Sequence, residues 1–407
     1  MRAQGAREES ERTVVAIALI TAVCLLGDMM LYIVLPIYWE SFGLSSLWQV
    51  GLLLSVNRLV RLPLNPVAGW FYQNMSKQTG VLIAVALAAV TTFSYGYAKS
   101  FWLLLTARCF WGAAWSLLRL GGFLTVLDAS GEQNRGYLIG RYNGLWGLGG
   151  LAGMLAGGLL ADRFGIEIAA SLFAVLAVCC IPFVIRYVPK RVKQKKESAP
   201  SSGKAMYRDL WKQPNIIYVL ITGFTVSMVF FGIYMSTLSR MLEVNDAALR
   251  LFGFTAGAAT LAGFIQAVRW GWDPFLAPLF GKLSDGRKGR MPFLIGSLLL
   301  SAGWFILMPF PFPLWLWIGI ALCLQLSWTM IITVADSLAA DAASRTNKVA
   351  AMTAYTLAAD VGAALGPSLG YMLTDLFNLS ILYWFTSAVL IILSLMWFTR
   401  RKMFSSV

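Results

Sequence analysis

The residues able to do chemistry in this chain are the ionisable ones stranded inside long apolar runs. Asp28 sits in Gly27-Asp28-Met-Met-Leu-Tyr32, and Arg58 and Arg61 lie three apart in the next run. Arg108 and Arg119 share a third, Arg269 and Asp273 another, and Asp336 and Asp360 stand alone in theirs. A charge at bilayer depth costs about 3 kcal/mol on insertion scales, so such residues persist where they are paired, wet or functional. The chain has no histidine. That excludes histidine metal sites, histidine catalysis and a histidine switch, and leaves carboxylates as the proton carriers. Burial raises the pKa of a carboxyl group and a neighbouring guanidinium lowers it again, so a buried acid whose cationic partner moves will bind and release a proton. Asp28 is the first candidate for that task and Asp360 the second. Arg58 and Arg61 share one helix face. With Arg119 they offer guanidinium forks for a carboxylate or phosphate, unless each is neutralised by an acid from another run, such as Asp28 or Asp360. Trp115, Trp146, Trp270 and Trp328 are placed to stack on an amphipathic substrate or simply to pack. Trp102, Trp315, Trp317 and Trp397 lie near run ends, as residues of interfacial belts do.

The elements that must position these groups are membrane spans. Of 407 residues, 58% are hydrophobic and 13% charged, whereas soluble domains are about one quarter charged. A span needs roughly 20 apolar residues to cross a hydrocarbon core about 30 Å thick. The apolar runs cover 13–38, 46–73, 79–98, 101–127, 136–160, 166–188, 214–239, 252–282, 290–309, 313–339, 347–374 and 378–399. The fold class is therefore an all-α polytopic membrane protein of twelve spans. The first run is retained as span 1, being too long for a signal-peptide core. The five cysteines all fall in apolar runs without metal-type spacing and read as small buried residues.

Charge sets the topology. With the N-terminus in the cytoplasm, the inner segments hold 24 Lys and Arg and the outer segments 4, a positive-inside excess that places both termini inside a cell membrane. The net charge of +14 is thus topological, and nucleic-acid binding is not expected. Residues 189–213, basic and then Ser/Pro/Gly-rich, read as a cytoplasmic linker on the anionic leaflet. They separate an N-terminal half, 1–188, from a C-terminal half, 214–407. A monomer is expected, with the lipid bilayer, a small solute and protons as its partners and no cofactor.

An internal repeat relates the halves. A shift of 213 places Trp115 on Trp328, Asp128 on Asp341, and Gly153, Gly157 and Asp162 on Gly366, Gly370 and Asp375. A shift of 212 places Asn65-Pro66-Val67-Ala68-Gly69 on Ala277-Pro278-Leu279-Phe280-Gly281. Spans 2, 4 and 5 recur as 8, 10 and 11, a parallel repeat of the kind transporters use.

These residues resemble the major facilitator superfamily over essentially the whole chain. Gly281-Lys-Leu-Ser-Asp285-Gly-Arg287-Lys288-Gly289-Arg290 is similar to the family's cytoplasmic loop motif, with one residue inserted after the Asp. The first-half equivalent keeps Gly69 but has Gln73 where Asp is usual. Arg108-Cys-Phe-Trp-Gly112 looks like the Arg-x-x-x-Gly motif, whose arginine the resemblance associates with proton coupling. The glycines from Gly149 to Gly158 resemble the helix 5 motif of proton antiporters, with Met154 at the usual proline. The resemblance implies that spans 3, 6, 9 and 12 face lipid, and those four carry no Asp, Glu, Lys or Arg in their cores. It also implies gating roles for Gly281, Asp285 and Arg287, and for Gly153 and Gly157. Tight helix packing is the plainer reading of the glycines.

The expected function is secondary transport of a small organic solute by alternating access, with proton-coupled efflux favoured and proton-coupled uptake of an anionic metabolite as the alternative. No Walker-type phosphate loop is present, which argues against direct ATP hydrolysis. An intramembrane enzyme or receptor finds no support, since no nucleophile stands with a base and no sizeable soluble domain exists.

Overall fold

The computed structural model describes residues 2–129, 135–188, 190, 214–244, 249–251, 254–284, 289–344 and 348–404. The linker 189–213 lies outside them apart from Lys190, as do Asp285 and Arg287. The helices are α1 (Arg2–Val34), α2 (Leu47–Asn74), α3 (Lys77–Tyr97), α4 (Phe101–Ala129), α5 (Arg135–Phe164), α6 (Ile166–Cys179), α7 (Ile181–Tyr187) and α8 (Pro214–Val226). A π-helical segment (Ser227–Tyr234) and α9 (Met235–Val244) continue α8. A short hairpin, β1 (Leu249–Leu251) and β2 (Phe254–Ala256), pairs antiparallel with Arg250 opposite Thr255. Then come α10 (Ala258–Ser284), α11 (Arg290–Leu307), α12 (Leu314–Ser344), α13 (Lys348–Leu376) and α14 (Leu379–Phe404). Counting α6 with α7, and α8 through α9, as single spans gives twelve rods at the twelve expected positions.

Among the described residues, nine rods are apolar enough over 18 residues to cross a membrane. The other three are α2, α10 and α13. In α2 and α13 the hydropathy is diluted by Arg58 and Arg61 and by Asp360, whereas α1, α4 and α12 stay apolar enough despite Asp28, Arg108 with Arg119, and Asp336.

Local chemistry explains the breaks. Pro182 stands in the first turn of α7, where it has no amide hydrogen and its ring collides with the carbonyl four residues back. The span therefore bends at Cys180, whose N–H bonds Ala177 O at 3.0 Å. Ser76 starts α3 by accepting from the Thr79 N–H at 3.1 Å, a side-chain N-cap.

The chain divides into two compact units, Met1–Glu197 with Leu242–Trp270, and Ser198–Met241 with Gly271–Val407. The segment Leu242–Trp270, expected with the second half, thus packs with the first. Glycines permit this. A Cβ at Gly158 would stand 2.5 Å from Ala259 O, and one at Gly263 2.4 Å from Met154 O, so α5 and the start of α10 touch backbone to backbone. Asp162 fastens the same contact, accepting from Thr260 N at 3.0 Å, Thr260 Oγ1 at 2.6 Å and Tyr38 Oη at 2.7 Å.

The opposite face of α5 lies along α1. Gly149, Gly153 and Gly157 meet Ala22, Leu26 and Met30 in turn. In the second unit Gly362 and Gly366, each 213 positions further on, meet Phe224 and the π-helical Gly232. The repeat extends to a polar contact. Lys77 Nζ bonds Asp128 and, at 3.2 Å, Leu124 O. Arg290 Nη1 bonds Asp341 at 2.5 Å and Ser337 O at 3.0 Å. All three positions are again displaced by 213.

The aromatic belt is smaller than the sequence suggests. Trp102 and Trp315 are 72% and 75% exposed, as belt residues should be. Trp317 and Trp397 are buried instead, because each indole N–H finds an acceptor inside, Met308 O at 2.9 Å and Thr222 Oγ1 at 2.8 Å. Cys24 and Cys180 are buried, whereas Cys179 is exposed.

Candidate functional site

A buried ion pair forms the centre of the first unit. Asp28 on α1 and Arg108 on α4 are 4% and 1% exposed, and Arg108 Nη1 donates to Asp28 Oδ1. Arg108 Nε donates to Leu53 O of α2 at 2.9 Å. Asn57, also on α2, donates from Nδ2 to the same Asp28 oxygen at 3.2 Å. Gly112, one turn after Arg108, lets α2 come this close, since a Cβ there would stand 2.7 Å from Asn57 O. The Arg-x-x-x-Gly spacing thus has a packing reason: the arginine reaches the acid and the glycine admits the helix that helps hold it.

Two tyrosines flank the guanidinium. Arg108 Cζ lies 5.9 Å from the Tyr32 ring centroid and 6.0 Å from that of Tyr95, within cation–π range. Tyr95 belongs to α3, an element expected to face lipid. It reaches the site because Gly27, beside Asp28, lets α3 approach until a Cβ would stand 2.4 Å from Thr92. Around the pair, Arg108 Nη2, Asn57 Oδ1 and Tyr95 Oη are buried and carry no hydrogen bond among the described residues. A buried charge pair with spare valences is poorly neutralised by its surroundings.

The other expected arginines behave differently. Arg58 Nε donates to Tyr32 Oη at 3.4 Å, while Arg61 Nε donates back to Asn57 O of its own helix at 3.1 Å. Their Nε groups thus bond different helices, α1 and α2. Arg119 is exposed, and its Cζ stands 5.7 Å from the Trp146 ring centroid. Arg269 is buried, with Cζ 4.7 Å over Trp270.

The indoles form a ladder. Trp111 and Trp115 on α4 are 6.2 Å apart, Trp115 and Trp146 on α5 are 5.6 Å apart, and Trp146 and Trp270 on α10 are 6.2 Å apart. Trp111 and Trp115 are buried, Trp146 and Trp270 half-buried. Trp328 of the second unit is fully buried, stacked on Phe230 at 5.4 Å and edge-on to Phe231 at 4.8 Å. Its place is in packing rather than on an accessible surface.

The second unit holds further carboxylates. Asp273 accepts from Thr329 Oγ1 at 2.5 Å, and Asp336 from Tyr355 Oη at 2.8 Å. Asp360 is half-buried and has no hydrogen-bond or ion-pair partner among the described residues. Of the expected gating residues, Gly153 and Gly157 press on Leu26 and Met30, while a Cβ at Gly281 would meet only Thr333, at 3.7 Å. Sequence reasoning missed Asn57 and Tyr95. Neither is charged at neutral pH, so a search for stranded charges passes over them.

Twelve helical rods, a doubled glycine-faced packing scheme and a buried ion pair define a polytopic membrane protein. The family model for the Major Facilitator Superfamily matches residues 17–273 and 274–406, and the chain belongs to that family. Among curated relatives, a protein named multidrug resistance protein MdtG from Enterobacter lignolyticus (strain SCF1) is 25% identical over 286 residues, covering 68% of this chain and 65% of the relative. An MdtG from Dickeya zeae (strain Ech586) is 26% identical over 287 residues, covering 68% and 66%. The aligned part thus spans about two thirds of these relatives' own length. Two solved structures share the fold. A bacterial homolog of the human lysosomal transporter Spinster, in an inward-facing and unoccupied conformation, aligns with a TM-score of 0.77 at 16% identity over 98% of both chains. The nucleoside transporter NupG aligns with a TM-score of 0.76 at 13% identity over 97% of this chain and 99% of its own.

Proposed function

We propose that this protein is a proton-coupled secondary transporter that exports a small organic solute across the cytoplasmic membrane by alternating access, with both termini in the cytoplasm. The observation that carries this reading is the buried Asp28–Arg108 pair. A proton arriving at Asp28 cancels the attraction, and the unused valences of Arg108, Asn57 and Tyr95 give the guanidinium other company to seek. Proton occupancy and helix arrangement are then linked, which is what coupling requires. Asp360, without a partner among the described residues, is the second proton site in this scheme. The export direction rests on the resemblance of the α5 glycines to an antiporter motif and on the multidrug resistance names of the relatives.

The test uses purified protein in liposomes with an imposed pH gradient and a compound panel. Asp28→Asn should abolish proton-driven flux while leaving the protein folded and able to exchange substrate without a gradient. Unchanged proton-driven transport by that variant would end the assignment. A second reading, uptake of an anionic metabolite, is favoured by Arg119, whose exposed guanidinium pairs with no carboxylate among the described residues. Transport assayed in vesicles of both orientations separates uptake from export.

A further inference from the structure

One face of α4 carries Arg108, Trp111, Trp115 and Arg119 at spacings of three and four, so a single stripe about 16 Å long joins the ion pair to Arg119. Its two ends differ in kind. Arg108 is buried and paired, whereas Arg119 is exposed, lies over the face of Trp146 and near the Tyr142 phenol, and has no carboxylate partner among the described residues. An arginine in the middle of a span with no acid among the described residues holds a charge that the protein leaves unneutralised.

The surroundings of Arg119 are flat and aromatic. Trp146 and Trp270 are half-buried, with their planes inclined at 64°. A ring stacked on one indole would thus meet the other near its edge, both favourable geometries. Gly147 and Gly150 pack against Trp270, where a Cβ would stand 3.5 and 3.1 Å from the indole, and Arg269 Cζ lies 4.7 Å from the same ring's centroid, so the stacking face offered to a ligand is that of Trp146. Asn143 is exposed beside Trp146 and accepts from Trp146 Nε1 at 3.0 Å through Oδ1, which leaves its NH2 group to donate.

We propose that Arg119, Asn143 and the Trp146–Trp270 pair form a binding site for a planar aromatic anion, the ring on the face of Trp146 and the carboxylate or other acidic group on Arg119 and the Asn143 amide. This substrate class rests on the transport reading above but is independent of direction. A cation of the same shape meets Arg119 as a like charge. A neutral ring stacks but leaves the guanidinium unmatched.

The experiment measures binding, not flux. Full-length protein is titrated with 4-nitrobenzoate, 4-nitrobenzyl alcohol and 4-nitrobenzylamine, which share a ring and differ in charge, and quenching of tryptophan emission is read. The benzoate should bind about tenfold or more tightly than the alcohol, as expected for a charge-assisted hydrogen bond, and the amine weakest. Arg119→Gln should bring the benzoate to the affinity of the alcohol, while Arg119→Lys keeps part of the preference and Trp146→Leu weakens all three. A flat or cation-favouring series, no quenching by any of the three, or an anion preference that survives Arg119→Gln overturns the proposal. Asp28→Asn should keep the preference. A protein that shows the preference but no proton-driven flux would overturn the coupling reading and leave this site standing.

Discussion

Replacing Gly149 with alanine tests whether the approach of α1 to α5 holds the ion pair in place. A Cβ at Gly149 would stand 2.2 Å from Ala22 O and 2.5 Å from Ala22 Cα. Ordinary contact begins at 3.4 Å, so α1 must retreat by about 1 Å. The obstacle is backbone, which cannot rotate aside as a side chain can. Overpacking of this kind costs about 1–3 kcal/mol, against about 1 kcal/mol gained from the better helix propensity of alanine. The net expectation is a loss of up to about 2 kcal/mol. Asp28 lies six residues, about 9 Å, further along the same helix, so the retreat also loosens its contact with Arg108. Thermal unfolding in detergent, followed by tryptophan emission, should show a lower midpoint for Gly149→Ala, and proton-driven flux should fall with it. Gly362→Ala, where a Cβ would stand 2.1 Å from Phe224 O, should behave alike in the second unit. Gly303 on α11 is exposed with nothing within 4 Å, so Gly303→Ala should leave the midpoint unchanged or raise it. A Gly149→Ala protein as stable as Gly303→Ala would refute the reasoning.

Two further outcomes follow from single contacts. Trp397→Phe removes the buried bond to Thr222 and should cost about 1 kcal/mol or more, while Trp102→Phe, at the exposed belt, should not shift the midpoint measurably; equal losses would contradict the assignment of Trp397 to the core. Tyr38→Phe removes the bond to Asp162 and should cost about 1 kcal/mol, less than a fully buried charged bond because Tyr38 is half-exposed. Burial, followed by the hydrogen bond to Asp162 and its charge, raises the Tyr38 phenol above its ordinary value. The stability this provides is fully present below the ordinary phenol pKa, about 10, and is lost as pH rises through the raised one. The penalty for Tyr38→Phe should therefore be level from pH 6 to 9 in denaturation midpoints, and a penalty that shrinks across that window contradicts the bond.

The twelve spans were legible because membrane helices announce themselves by length and apolarity. Asp28 and Arg108 were legible because charge is rare at that depth. What the sequence concealed depends on neighbours. Tyr95 joins the ion pair only because Gly27 and Thr92 bring α3 close, a contact between residues 65 positions apart. Arg58 and Arg61 share a face by spacing, but the acceptors of their Nε groups, a tyrosine on α1 and a carbonyl on α2, cannot be read from that spacing. Trp317 and Trp397 sit at run ends like belt residues, and only the acceptors at Met308 and Thr222 place them inside. The π-helical turn at Ser227–Tyr234 has no apolar signature of its own, since its residues are as hydrophobic as the α-helix around it.

The twin contact of Lys77 with Asp128 and Leu124 O, and of Arg290 with Asp341 and Ser337 O, carries a message about descent. One cation is lysine and the other arginine, and the accepting carbonyls belong to leucine and serine. The bond outlived the residues that make it. A single ancestral gene for six spans, copied and joined head to tail, accounts for both copies. The two contacts are a fossil of that event, kept by the geometry of helix ends while the letters around them changed.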